Sequence, residues 1–175
     1  MKKRLFLLLL VLGSLRVSAQ QGSVIDRFFE KYESDRSFTL VSITPKMFSM
    51  FSKVSVNSVE GKRMMQVIQK LRGLRILAKE NTKDGPRMFK EATSFLGKDL
   101  EDLMVVRDGD SDIRFMVKEN SHGNIAELVM LVGGKDEFVA MSLVGDIDLN
   151  EISQIAGNLN ISGFDKLNKL DRKKL

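Results

Sequence analysis

Apolar positions recur at helical spacing through the first half of the chain and at alternate positions through much of the second. Val24, Ile25, Phe28, Phe29 and Tyr32 form one stripe, with Asp26, Arg27, Glu30 and Lys31 opposite. That pattern predicts an amphipathic helix, with Ser23 as N-cap and Asp26 completing an approximate capping box. Residues 38–43 (FTLVSI) are β-branched and aromatic enough for a strand. Thr44-Pro45 then reads as an N-cap followed by proline in the first helical turn. The spacing predicts a further helix over residues 59–71, which Gly73 would stop, and a short strand over 74–78. Asp84-Gly85-Pro86 announces a helix whose stripe runs through Met88, Phe89, Ala92, Phe95 and Leu96.

From residue 103 the period becomes two. Strands are expected over 103–107, 113–118, 126–132 and 138–144, separated by turns at 108–111, 120–124 and 133–136. The last two strands are apolar on both faces, which predicts a central place in a sheet. A helix is expected to follow Asp148, with Glu151 three residues on. Helices early and an antiparallel meander late predict an α+β fold, a mostly antiparallel sheet with helices packed on one face.

The amino-terminal residues read as an address. Lys2, Lys3 and Arg4 precede eight uninterrupted apolar residues, and Val17-Ser18-Ala19 places small residues where signal peptidase reads. The expected organisation is a signal peptide over 1–19, cut between Ala19 and Gln20, a single domain over 20–161 and a basic tail over 162–175. The apolar run is too short to span a bilayer core of about 20 residues. No apolar run after Ala19 approaches that length, so the mature form is expected to be soluble, with no stable membrane insertion.

Cleavage alters the charge argument. The chain has 28 Lys+Arg and 23 Asp+Glu, a formal net charge of +5. Loss of Lys2, Lys3, Arg4 and Arg16, with no acid among residues 1–19, brings it to +1. A nucleic-acid partner, argued from basicity, loses its footing. With no cysteine, the chain has neither disulfides nor thiolate chemistry, and a single histidine makes a multi-histidine metal site impossible.

Four features invite a chemical reading. Asp108, Asp110, Asp112 and Glu119 fall at positions 1, 3, 5 and 12 of a calcium loop, but position 6 is Ile113 where glycine is required. These acids read better as a polar hairpin tip, and calcium is the alternative. Asp146 and Asp148 suggest paired carboxylates, against a capping role in the turn before the last helix. His122 lies in a turn with nothing to place it beside a serine and a carboxylate. Met47, Met50, Met64, Met65 and Met88 share stripes with Phe48, Phe51, Phe89 and Phe95, which reads as core; exposed, the same face would mark a partner or ligand groove. No nucleotide-binding or nucleophile-elbow motif is present.

The signal peptide, the Thr-Leu-Val-Ser-Ile strand (39–43), Met47-Phe48, the Glu127-Leu128-Val129 strand and the ending from Phe138 through Gly145-Asp146-Ile147-Asp148-Leu149 together resemble the domain-of-unknown-function 4252 family. The resemblance implies an exported protein of Bacteroidota and a periplasmic location, and it carries no catalytic or cofactor-binding residues. The expected function is a small non-enzymatic periplasmic module, for interaction or regulation, with an envelope protein as partner and no cofactor. A homodimer is an open alternative for its association. The alternatives in function are a carrier of apolar ligands such as lipid, and a hydrolase using Asp108, Asp110, Asp146 and Asp148.

Overall fold

The computed structural model describes residues 23–148. The elements run α1 (Asp26–Glu30), β1 (Thr39–Ile43), α2 (Pro45–Phe51), α3 (Val59–Lys70), β2 (Leu71–Glu80), α4 (Gly85–Leu96), β3 (Glu101–Asp108), β4 (Ser111–Glu119), β5 (Ile125–Gly134) and β6 (Glu137–Ile147). All strands join one antiparallel sheet in the order β1-β2-β6-β5-β4-β3. β3 to β6 form the expected meander, and β5 and β6 are central. Their runs IAELVMLVGG and EFVAMSLVGDI carry apolar groups on both faces because both faces are covered.

The register assigns the faces. Leu77, Ala140 and Leu131 align across β2, β6 and β5 on one face, where Val129, Met116 and Phe138 join them. Phe28 and Phe29 of α1 and Met88, Phe89, Ala92 and Leu96 of α4 pack against this row. Leu74, Leu143, Leu128 and Val117 align on the opposite face, where Phe115 and Met130 also lie and α3 contributes Val67.

Several boundaries differ from the sequence expectation. Gly73 does not stop α3; the helix ends at Lys70, Leu71 turns extended at φ −79°, ψ 140°, and Gly73 lies inside β2. β2 is ten residues long because β6 pairs with it along nearly its whole length. Ser23 does not cap α1: Ile25 holds that position without a side-chain bond, and the Ser23 hydroxyl serves another partner, described below. Ser58 does cap α3, accepting from the Gly61 N–H at 3.0 Å. The signal segment, its cleavage position, the helix after Asp148 and the basic tail lie outside the described residues.

Candidate functional site

The acids singled out in the sequence separate into two groups. Asp108, Asp110 and Asp112 sit at the β3–β4 turn, where Gly109 takes φ 55°. Glu119 closes the other end of β4, paired with Ile125. A strand rises about 3.3 Å per residue, so Asp112 and Glu119 stand roughly 20 Å apart. The four calcium-loop positions therefore do not meet, because the residues after Asp112 continue as β4 and cannot wrap an ion. Asp112 instead accepts from Arg107 Nε at 3.1 Å. A cleft of about 530 Å³ beside this turn mixes Lys83, Arg107 and Lys135 with Asp110, Asp112 and Asp136. Among the described residues no three His, Asp or Glu side chains converge in a way that could hold a metal.

Asp146 lies at the opposite end of the sheet, near the end of β6. Its Oδ1 accepts from Asn124 Nδ2 at 2.9 Å and Asn120 Nδ2 at 3.0 Å, bonds that hold its carboxyl below the usual range. Asn120 Oδ1 in turn accepts from the His122 and Asn124 backbone N–H groups. Asp146 thus ties the β4–β5 turn to β6, and His122 is a member of that turn. Asp108 and Asp110 are at one end of the sheet and Asp146 and Asp148 at the other, so the four carboxylates proposed for hydrolysis share no cleft.

A polar cluster that the sequence reading passed over sits on the α1 side of the sheet. Glu127 is 4% exposed in the middle of an apolar strand. It accepts from Ser142 Oγ at 3.0 Å, from the Val24 N–H at 3.2 Å and from Ser23 Oγ. These three donors occupy its oxygens and fix the start of the domain to the centre of the sheet. Next to it, Arg75 Nη1 lies 2.6 Å from Asp26 Oδ1, with the guanidinium 4.7 Å from the Phe29 ring centroid. A cleft of about 270 Å³ opens here, lined by Asp26, Ser42, Thr44, Arg72, Arg75 and Ser142 among others. The Asp26–Arg75 ion pair shares this lining with the hydroxyl residues Ser42, Thr44 and Ser142. Neither cleft has a methionine or phenylalanine in its lining, although the smaller one has Ile43, Pro45 and Val144.

The fourth feature overturns the core assignment for part of the methionine stripe. Met88, Phe89 and Phe48 are buried, as expected. Met47, Met50 and Phe51 are exposed, at 44%, 56% and 41%. Leu40, Val41, Val54 and Val59 are exposed with them, so β1, α2 and the stretch from Val54 to the first residue of α3 supply nearly all the large exposed apolar side chains of the described residues. The physical reason is local. α2 has seven residues, and a helix of two turns packed against β2 and α3 can bury only one of its sides, here that of Phe48. The sequence carried a signal for this: α2 is apolar nearly all round, which a short helix at an edge cannot bury.

Comparison with known proteins matches residues 32–155, most of the chain, to the family model described as domain of unknown function (DUF4252). No curated protein and no solved structure matches the chain.

Proposed function

The chain belongs to the DUF4252 family, and from that premise we propose that it is a non-enzymatic module, exported to the periplasm of a Bacteroidota cell, that binds an envelope protein through the surface formed by β1 and α2. The observation that carries this reading is the exposure of Met47, Met50 and Phe51 on α2 together with that of Val41 on β1. Large apolar side chains held open to water cost free energy that burial against a partner recovers. Methionine and phenylalanine together suit such a role, because the flexible thioether side chains adapt their shape around a rigid aromatic anchor. The basic residues 2–4, the apolar run after them and Val17-Ser18-Ala19 support export.

Two measurements test the reading. Chain recovered from the periplasm should begin at Gln20; an intact amino terminus there overturns the export half. Wild-type protein should enrich one defined envelope protein reproducibly from membrane extract, and the double variant Met50→Asp, Phe51→Asp should lose it. Both side chains are exposed, so this variant should keep its unfolding free energy within about 0.5 kcal/mol of wild type. Equal enrichment by the folded variant would remove the β1–α2 surface from the account.

A further inference from the structure

The two edges of the sheet are built differently. β3, at one edge, carries Glu101, Asp102, Arg107 and Asp108 and a register irregularity between Asp102 and Met104. Charge and irregular pairing are the usual means by which an edge strand discourages another strand from joining it. β1, at the other edge, reads Thr-Leu-Val-Ser-Ile. It has no charge, no proline and an unbroken register with β2, and among the described residues it pairs with β2 alone. All but Ile43 of its side chains are exposed. Half of its backbone N–H and C=O groups face away from β2, as the antiparallel ladder requires. β1 therefore lacks every device that protects β3.

The stretch of chain that carries this edge, bounded by Asp35 and Glu60, is one-sided in charge. From Arg36 to Val59 the chain carries Arg36, Lys46 and Lys53 and no acid. An isologous dimer through β1 would bring the same cations together across the two-fold axis, which opposes a second copy as the occupant. The chain's own tail, with Lys166, Lys169, Arg172, Lys173 and Lys174 against Asp165 and Asp171, carries the same sign of net charge and is disfavoured as the occupant. We infer that β1 is a strand-addition site, taking an extended segment of a partner protein whose apolar residues alternate with or are flanked by carboxylates. The inference rests on the reading of β1 and α2 as the binding surface and specifies how the partner is held. The partner segment continues the sheet as a seventh strand. Main-chain hydrogen bonds to β1 supply affinity, one face of the segment covers Val41 and the apolar side of α2, and Lys46 and Lys53 select its acidic flanks.

The test uses the chain as recovered from cells and two synthetic ten-residue peptides. They share an alternating Val/Thr centre; one has Glu flanks and the other Lys flanks. The readouts are backbone amide hydrogen exchange and chemical shifts. The acidic peptide should slow exchange of outward-facing amides within residues 39–43 and bind about tenfold more tightly than the basic one, the scale of a few exposed charge contacts. N-methylation of alternate peptide nitrogens should abolish binding, and Lys46→Glu with Lys53→Glu should reverse the preference. No slowing at β1 with either peptide, or equal binding of both, overturns the inference. If the acidic peptide shifts Met47, Met50 and Phe51 while β1 exchanges as before, strand addition fails and the binding surface stands. If neither peptide binds and the Met50→Asp, Phe51→Asp variant keeps its partner, both readings fail together. Protection of β1 that grows with protein concentration and no peptide would name a second copy as the occupant and overturn the inference.

Discussion

Ser142 on β6 donates a 3.0 Å hydrogen bond to the Glu127 carboxylate on β5, and both residues are buried. The pair sits where a central strand of this composition would otherwise carry an apolar side chain. Glu127 also receives the Val24 N–H and the Ser23 hydroxyl, so one carboxylate joins β5, β6 and the segment entering α1. Removing it leaves buried donors without acceptors. Glu127→Ala is expected to lower the unfolding free energy by about 2–3 kcal/mol. Ser142→Ala, which leaves Glu127 with its other donors, should cost less. Urea denaturation measures both. A Glu127→Ala cost below about 0.5 kcal/mol would show that the cluster does not anchor the amino-terminal segment.

Gly133 on β5 faces α4 so closely that a Cβ added there would stand 2.3 Å from Phe89 Cβ. Real carbon contacts do not come that near, so the helix must shift or the strand must bend. Gly133→Ala is expected to destabilise the protein by about 1–3 kcal/mol, the usual cost of overpacking. Pairing the substitution with Phe89→Gly removes the opposing Cβ, and a double-mutant cycle should return part of the loss. Strict additivity of the two would mean that Phe89 and Gly133 do not constrain each other.

The pH response of the β4–β5 turn follows from Asp146. The Asn124 and Asn120 amides donate to its carboxylate and hold its pKa below the ordinary aspartate value of 3.8. A group whose pKa falls on folding stabilises the folded state at pH above its unfolded value, and that contribution is lost as pH falls through the folded value. The turn should therefore loosen only below about pH 4. Amide exchange at residues 120–124, followed from pH 6 to pH 3, should rise at the acidic end beyond the intrinsic chemical trend. In Asp146→Asn the extra rise should vanish. Equal acid response in the two proteins would dissociate Asp146 from the turn.

Calcium should leave the chain unchanged. Asp112 is engaged by Arg107, and Glu119 closes the far end of β4. Titration calorimetry with calcium to about 1 mM, a range that reaches weak extracellular sites, should give no saturable heat. Asp110→Ala serves as the control. A saturable isotherm that Asp110→Ala abolishes would show that the β3–β4 tip binds an ion after all.

Much of the architecture was legible along the chain. The alternation after residue 103 gives the meander, because side chains two apart share a face and turns with Gly109 and Gly123 at positive φ close the hairpins. The two-sided apolar character of residues 125–134 and 137–147 places those strands centrally, where β5 and β6 are found. The candidate sites were harder to read. Asp108, Asp110, Asp112 and Glu119 match a loop spacing, yet spacing carries no information on whether the backbone curls or extends. Glu127 gave only the cue of an acid in an apolar run, and its partners Ser23 and Ser142 are distant in sequence.

The sequence by itself determined most of the described elements and the buried stripes of α1 and α4, since period and turn chemistry are properties of neighbouring residues. The tertiary structure alone decided that β2 lies beside β6, that β1 is left at an uncharged edge, and that Met47, Met50 and Phe51 face water while Met88 does not. The physical reason is that an apolar stripe specifies a side to be covered but not what covers it. That depends on which elements meet across the sheet, and α2, short and at its margin, meets too little of it.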